Sequence, residues 1–422
     1  MFGLVDCNNF YVSCERVFRP DLRTRSVVVL SNNDGCVIAL SPEAKALGMK
    51  RGDVFFQVRG LIERHGVAVF SSNYTLYGDM SRRVMWLLGE FTPHLEVYSI
   101  DEAFLDLSGM GSGEELKRYG ERIVRTVGRG TGVPVSMGIA PTRTLAKIGS
   151  HFAKRHAGYK GCCVIDTPSK RETALRLTPV AEVWGIGRRI AARLGALGVH
   201  SAWDFARMEE KRVCRYFGVT GVRTWLELRG EPCISIDKLP VQKTLCTSRS
   251  FAGSGLNALA PLEEAVAKFT AEAVRKLRKQ GAAAQTLTVF AYTSPHRSDL
   301  PGDYLQGTVR LPVPTSALPE LTAAALGVLR EGWRSPAFHY KKAGIIISDI
   351  CRADEVQPDL FDPTDRIRQE ALQRAVDSVN LRFGQDTLHC AVQGNGHFAD
   401  CLRADHKSPA YTTDLSQIIR VH

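Results

Sequence analysis

One order of six elements occurs twice in this chain, and that repetition constrains its fold more than any other feature. Apolar periodicity and capping signals predict strands over Phe2–Val5, Val27–Leu30 and Val67–Phe70, with a short helix from Pro42 to Gly48. A helix near Leu76–Phe91 follows, then strands Leu95–Ser99 and Ala103–Leu107, helix Glu114–Gly128, strand Val133–Ile139 and helix Thr142–His156. Setting aside the stretch around 27–70, the order is β-α-β-β-α-β, the split ferredoxin-like unit. Residues 241–350 repeat it: strand Leu245–Phe251, helix Leu262–Gln280, strands Thr286–Thr293 and Leu305–Leu311, helix Thr315–Trp333 and strand Lys342–Ser348. A mostly helical segment, about 168–232, separates the two. The expected class is therefore α+β, with several domains.

Two breaks punctuate this order. Glu231-Pro232 to Pro240 reads as a linker, and Asp354 to Pro363, acidic with two prolines, as the start of a mobile tail. The charge follows the same division. Residues 1–240 hold 34 bases against 25 acids, 241–350 hold 13 against 8, and 351–422 hold 8 against 11. A basic body with a mildly acidic tail points to a polyanionic partner. An apolar content of 44% excludes wholesale disorder. No apolar run approaches the ~18 residues of a membrane span. Asp6 interrupts any signal-peptide core, and the 11 cysteines are an odd number without CxxC spacing. These features fit a reducing cytoplasm and argue against a disulfide framework or a zinc site.

The chemistry is expected at one sheet edge. In a split β-α-β-β-α-β unit the first and second strands run parallel, so their C-terminal ends share a rim. Asp6 ends the first strand, and Asp101 and Glu102 occupy the turn leaving the second. Singly, each acid reads more simply as a solvated turn residue; their convergence favours a site. Three carboxylates converging on one rim repel one another unless a cation sits among them, and hard oxygen ligands select Mg²⁺ or Mn²⁺. Two such ions ~3.5–4 Å apart would clamp attacking and leaving oxygens in phosphoryl transfer. Candidate phosphate-binding cations are Lys45 and the pair Lys147 and Lys154, seven apart and so on one helix face. No Walker A loop or GxGxxG follows a strand.

Val183-Trp184-Gly185-Ile186-Gly187-Arg188 has the pattern of a helix-hairpin-helix. Its glycines let backbone N–H groups approach a DNA phosphate, and Arg188 adds charge there. An ordinary αα-hairpin is the plainer reading, and Phe217-Gly218-Val219-Thr220-Gly221 resembles a degenerate second copy. In helix Leu262–Gln280, Lys268, Arg275 and Lys279 form a stripe opposite the apolar face, either a solvated surface or a contact with the DNA backbone.

These residues together carry a resemblance. The chain resembles Y-family, translesion DNA polymerases, and within them the UmuC-type branch. The carrying motifs are Val5-Asp6-Cys7-Asn8-Asn9-Phe10-Tyr11-Val12-Ser13-Cys14-Glu15, Ser31-Asn32-Asn33-Asp34-Gly35-Cys36-Val37-Ile38-Ala39 and Tyr98-Ser99-Ile100-Asp101-Glu102-Ala103-Phe104. Val183-Trp184-Gly185-Ile186-Gly187 and Ser408-Pro409-Ala410-Tyr411-Thr412-Thr413 complete the set. The resemblance implies a right-hand architecture: palm 1–20 and 73–165, fingers 21–72, thumb 166–236 with the helix-hairpin-helix, little finger 241–350, also ferredoxin-like, and a C-terminal tail 351–422. It implies that Asp6, Asp101 and Glu102 hold two Mg²⁺ ions, or Mn²⁺, with the Cys7 backbone carbonyl completing a site. Phe10 and Tyr11 match the pair over the incoming sugar, Tyr11 as the steric gate against a 2′-hydroxyl, and Lys154 matches a triphosphate lysine. The family often has Tyr and Arg where this chain has Pro42 and Lys45, so Lys45 matches the pattern only in charge.

The implied activity is error-prone, distributive insertion of deoxynucleotides opposite damaged template in the SOS response. The implied partners are primer-template DNA, dNTP, a sliding clamp, a cleaved UmuD-type dimer and a RecA filament. Gln357-Pro358-Asp359-Leu360-Phe361 resembles a clamp-binding peptide, with Gln357 at a pocket rim and Leu360 and Phe361 as apolar anchors. Its alternative is docking onto the protein's own surface. Two other functions fit parts of the pattern. A nucleotidyl cyclase shares the acids on such a palm but needs neither DNA-gripping segment nor clamp peptide. A non-catalytic polymerase-shaped scaffold binding DNA and clamp would not need all three acids.

Overall fold

The computed structural model describes residues 1–235, 242–362, 364–394 and 403–419. They belong to two compact units, Met1–Ile236 with Asp405–His422, and Asp237–Ala404. The last stretch of the expected linker, 236–240, and Pro363 lie outside the described residues.

The first unit runs β1 (Phe2–Cys7), α1 (Phe10–Phe18), β2 (Val27–Leu30), β3 (Val37–Leu40), α2 (Pro42–Ala46), α3 (Phe55–His65), β4 (Ala68–Ser71) and α4 (Tyr74–Gly89). It continues with β5 (Leu95–Val97), β6 (Glu102–Asp106), α5 (Gly113–Thr131), β7 (Val135–Ala140), α6 (Arg143–Arg155) and β8 (Cys162–Val164). Four helices follow: α7 (Pro168–Leu177), α8 (Arg188–Ala196), α9 (Ala202–Ala206) and α10 (Glu210–Arg229). The larger sheet has the order β5-β6-β1-β7-β8, and β2–β4 form a separate three-stranded sheet, β3-β2-β4. β1 is central and antiparallel to both β6 and β7. Its neighbouring residues Leu4 and Val5 point to opposite faces, and each is buried in a different apolar core. α1, α4 and α5 cover one face; α6 and the helices after β8 cover the other.

Close packing sets α6 against the sheet. A Cβ on Gly138 of β7 would collide with backbone atoms of Ala146 and Ser150 in α6, so only glycine permits this approach. Thr142 caps α6, its Oγ1 accepting from Leu145 N–H. Buried Glu227 of α10 ties the helical segment to that start: Oε2 accepts from Thr144 N–H at 2.9 Å, and Oε1 accepts from the N–H groups of Cys233 and Ile234. Phe217–Gly221, expected as a degenerate second hairpin copy, lies where α10 breaks into two helical stretches at Gly218, φ +66.

The second unit runs β9 (Leu245–Ser250), α11 (Leu259–Lys279), β10 (Ala282–Thr293), β11 (Tyr304–Thr315), α12 (Leu318–Gly332), β12 (Tyr340–Arg352) and α13 (Arg366–Phe383). The element order is as expected, but its sheet is ordered β11-β10-β12-β9, with the first strand at an edge. α11 and α12 pack on one face through Leu262, Phe269, Leu277, Leu321 and Leu329. The residues expected as a mobile tail include α13. It is held by Arg366 on Glu320 (2.6 Å) and Asp377 on Arg278 (2.8 Å). The expected tail also divides between the units, since residues 405–422 belong to the first.

Candidate active site

A cavity of about 980 Å³ in the first unit is lined by Asp6, Cys7, Phe10, Tyr11, Lys45, Asp101, Glu102 and Lys154. The three expected carboxylates, Phe10, Tyr11, Lys45 and Lys154 therefore reach one space, while Lys147 does not line it. The reason is strand order. β5 and β1 both pair antiparallel with β6, which lies between them, so the turn after β5 arrives beside the end of β1. Asp6 and Glu102 are direct cross-strand partners, and Cys7 N–H donates to the Asp101 carbonyl at 2.8 Å. Ser99 Oγ donates to Asp101 Oδ1 at 2.6 Å, fixing that carboxylate in its turn.

Two lysines of α6 meet the acids. Lys154 Nζ lies 2.8 Å from Asp6 Oδ1, and Lys147 Nζ lies 3.2 Å from Glu102 Oε2. Lys147 also sits over the rings of Tyr98 and Trp184, at 4.6 and 5.2 Å from their centroids. Burial raises the Glu102 carboxyl above its ordinary value against the pull of Lys147, and Asp6 and Asp101 raise it further. Burial, then the charges of Asp101 and Asp6, also push the Cys7 thiol up, so it is not a thiolate ligand. Among the described residues no group of three or more His, Cys, Asp or Glu stands ready-made around a metal position. The donor set nonetheless fits a hard divalent cation: carboxylate oxygens at one rim, with like-charge crowding that a cation would relieve.

The opposite wall is basic. Lys45 Nζ donates to Asn9 Oδ1 at 3.2 Å. Burial lowers the Lys45 ammonium below its usual range, and the charges of Lys154, Arg51 and Arg155 lower it further. Such crowding of cations suits a polyphosphate. Lys50 and Arg51 also line the cavity. The sequence offered no signal for them, because Lys50-Arg51-Gly52 reads as an ordinary surface turn.

Aromatic rings form a third wall. Tyr11 stacks on Tyr77, with centroids 4.5 Å apart and planes 18° from parallel, and meets Tyr74 edge-on. Phe10 is buried beneath, 5.8 Å from the Tyr11 centroid.

The other expected sites lie elsewhere. Gly185 has φ +89, while Gly187 and Arg188 are exposed where α8 begins with no side-chain cap, leaving N–H groups open. The stripe on α11 differs from a free cationic face. Arg275 pairs with Asp386 at 2.7 Å, Lys268 pairs with Glu264 at 2.7 Å, and exposed Lys279 lines a groove shared with α13. Gln357, Leu360 and Phe361 precede α13, and Leu360 and Phe361 are 92% and 88% exposed. Neither side chain packs on the protein's own surface in this structure.

Comparison with known proteins accords with this geometry. Residues 5–151 match the impB/mucB/samB family model, 242–360 match that family's C-terminal domain, and 370–421 match a domain of unknown function, DUF4113. Protein UmuC of Salmonella typhimurium is 40% identical over 424 residues, spanning 100% of both chains. Protein MucB of Escherichia coli is 40% identical over 421 residues, 99% of each chain. DNA polymerase IV of Moorella thermoacetica is 29% identical across 93% of this chain and 96% of its own. Among solved structures, a Y-family DNA polymerase chimera of Dbh and Dpo4 superposes with a TM-score of 0.65 at 21% identity, covering 83% of this chain and 99% of the other. An insertion ternary complex of Dbh DNA polymerase gives 0.53 at 23% identity, with coverage of 83% and 99%. The fold is that of the Y-family DNA polymerases. The chain belongs to the impB/mucB/samB family.

Proposed function

We propose that this chain, a Y-family DNA polymerase by family and fold, inserts deoxynucleotides opposite damaged template in the SOS response, by two-metal phosphoryl transfer. The observation that supports this reading most is the shared cavity, with Asp6 and Glu102 in register, Asp101 beside them, and a cationic wall opposite. Two Mg²⁺ or Mn²⁺ ions, held by Asp6, Asp101, Glu102 and the Cys7 carbonyl, would supply charge stabilisation at the attacking and leaving oxygens. Lys45, Arg51 and Lys154 bind the triphosphate, Lys154 exchanging Asp6 for a phosphate oxygen as the nucleotide enters. Tyr11, backed by Tyr77, fills the space beside the sugar's 2′ carbon.

In this reading the regions 1–20 with 73–165, 21–72, 166–236 and 241–350 serve as palm, fingers, thumb and little finger. Gly185, Gly187 and Arg188 hold a DNA phosphate. The second unit meets DNA through the open face of its sheet, where Thr288, Thr308, Arg310 and Lys342 are accessible, since α13 lies along the cationic side of α11. Exposed Leu360 and Phe361, with Gln357, hold the sliding clamp. The relatives named UmuC and MucB support a UmuD-type dimer as partner, and a RecA filament is proposed with it. No described helix is long and apolar enough to cross a membrane, and a nucleoid-associated cytoplasmic location goes with the proposed substrate. Primer extension on undamaged and abasic templates, with Mg²⁺ or with chelator, tests the whole. Extension past the abasic site only with the ion is expected. Extension that persists under chelation would overturn the metal assignment.

A further inference from the structure

The end of the described chain, 405–419, returns to the first unit and closes on the back of the aromatic wall. The backbone N–H of Asp405 donates to Asp34 Oδ2 at 2.9 Å. Ser71 N–H donates to the His406 carbonyl, His406 N–H donates to Ser71 Oγ, and Ser71 and Lys407 form a parallel bridge beside β4, an edge strand of its sheet. Asn73, which caps α4 through its Oδ1, donates from Nδ2 to the carbonyls of Ser408 and Pro409 and to Ser408 Oγ, at 3.0–3.3 Å. Tyr411 stacks on Phe18 at the end of α1, with centroids 4.7 Å apart and planes 10° from parallel.

The centre of this strap is Ser408, almost wholly buried. Its Oγ donates to Glu15 Oε1 at 3.0 Å, and the Tyr77 hydroxyl donates to the same oxygen at 2.7 Å. Glu15 has no exposed surface. It lies one turn after Tyr11 on α1, and the Tyr77 ring that it anchors is the ring on which Tyr11 stacks. A continuous path thus runs from Ser408 through Glu15 and Tyr77 to the ring facing the cavity.

We propose that the strap is a specificity device: Ser408, through Glu15 and Tyr77, positions Tyr11 for discrimination between deoxyribose and ribose. This rests on Tyr11 being the ring beside the sugar. Removing Ser408 Oγ leaves Glu15 with one donor, and Asn73 loses an acceptor in a buried place. The Tyr77 ring is then less tightly held, and the face behind Tyr11 gains freedom. A gate that is loose admits a 2′-hydroxyl without losing its affinity for a deoxynucleotide. Ser408 and Glu15 line no part of the cavity, so both are positioning residues.

The test measures single-nucleotide insertion of ribo- and deoxynucleotides by the full chain in four variants. Tyr11→Ala should raise the ribo-to-deoxy ratio most. Ser408→Ala and Tyr77→Phe should each raise it by a smaller factor, on the order of 5–10-fold for one lost hydrogen bond to a buried carboxyl, with deoxynucleotide insertion changing less. Ser408→Thr, which keeps the hydroxyl, should restore the wild-type ratio. Tyr77→Phe probes the same path with the strap's own contacts intact, so a poorly folded Ser408→Ala does not leave the idea untested. If Tyr11→Ala raises the ratio but Ser408→Ala and Tyr77→Phe leave it unchanged, or lower both insertions equally, the strap has no part in sugar selection. If Tyr11→Ala itself leaves the ratio unchanged, the assignment of the gate fails, and this proposal with it.

Discussion

The two β-α-β-β-α-β modules share an order of elements and differ in strand order, and the difference decides where chemistry is built. In the first, the initial strand is central, so the end of β1 meets the turn that leaves β5 and delivers Asp6, Asp101 and Glu102 to one rim. In the second, β9 and β10 also flank one antiparallel strand, Lys342 of β12 pairing with both Ser250 and Tyr292, but the turn that leaves β10 leads to β11, on the side away from β9. Its buried acid, Asp303, serves packing: Oδ2 accepts from the Tyr340 hydroxyl at 2.6 Å, and Oδ1 pairs with Arg334 at 3.0 Å. Element order alone is silent about a site; which strands a turn joins decides where its acids arrive. On the proposed function, the first unit does chemistry and the second unit holds.

That division is sharpest under Asp101→Asn. Loss of the carboxylate charge should cut insertion roughly a thousandfold or more, since a metal site supplies several kcal/mol of charge stabilisation. Primer-template affinity should be nearly unchanged. Wild-type extension by this variant would break the comparison outright. Replacing Leu360 and Phe361 together with Ala should do the reverse. Insertion on a short primer persists, while clamp-dependent stimulation falls by about 10²-fold, as tethering is lost. Unchanged affinity for isolated clamp would place that contact elsewhere.

A smaller effect is expected from Asp303→Asn. It weakens two charge-assisted hydrogen bonds and should cost about 1–3 kcal/mol of the second unit's stability, read by denaturant unfolding. Insertion per bound complex should stay the same; a fall in it would mean that the second module shares in the chemistry.

An effect of similar size, confined to a pH window, concerns the first unit. Burial raises the Glu15 carboxyl from about 4.5 to about 7, against hydrogen bonds from Tyr77 and Ser408. The groups facing it, Tyr77 from α4 and Ser408 and Tyr411 from the strap, include no cation, and its Oε2 has no partner among the described residues. The folded state therefore binds the proton more tightly than the unfolded chain. This group's contribution to stability is complete below about pH 4.5 and is lost as pH rises to about 7, by up to about 3 kcal/mol. Glu15→Gln should lack that decline. Parallel unfolding profiles of wild type and variant between pH 4.5 and 7 would refute the assignment.

The acids were legible because strand-ending residues obey topology, and topology follows from periodicity. Lys154 was legible from its spacing on an apolar-faced helix. The pairing of Lys147 with Glu102 was half visible, since a seven-residue spacing names a face but not what that face meets. Arg51 was hidden, because a cation in a turn looks the same whether it faces water or phosphate. β3 and β8 escaped notice because three or four apolar residues carry no period. The α11 stripe was legible only as a polar face: amphipathicity says nothing of Asp386, which meets Arg275 from more than a hundred residues on. The strap was the least visible feature. Ser408 and Glu15 are polar residues whose burial depends wholly on each other, and no local pattern announces a bond across 393 positions.

That separation has a consequence for how the molecule is made. Glu15 leaves the ribosome long before Ser408, and the whole second unit is synthesised between them. Until the strap emerges, the nascent first unit has its cavity residues but lacks the donor that completes the Glu15 cluster. Closing so long a loop also makes this contact one of the slowest to form. A chain cut short in translation within the second unit would keep all three carboxylates and lack the strap. Sugar discrimination in such fragments would report whether the chain was finished.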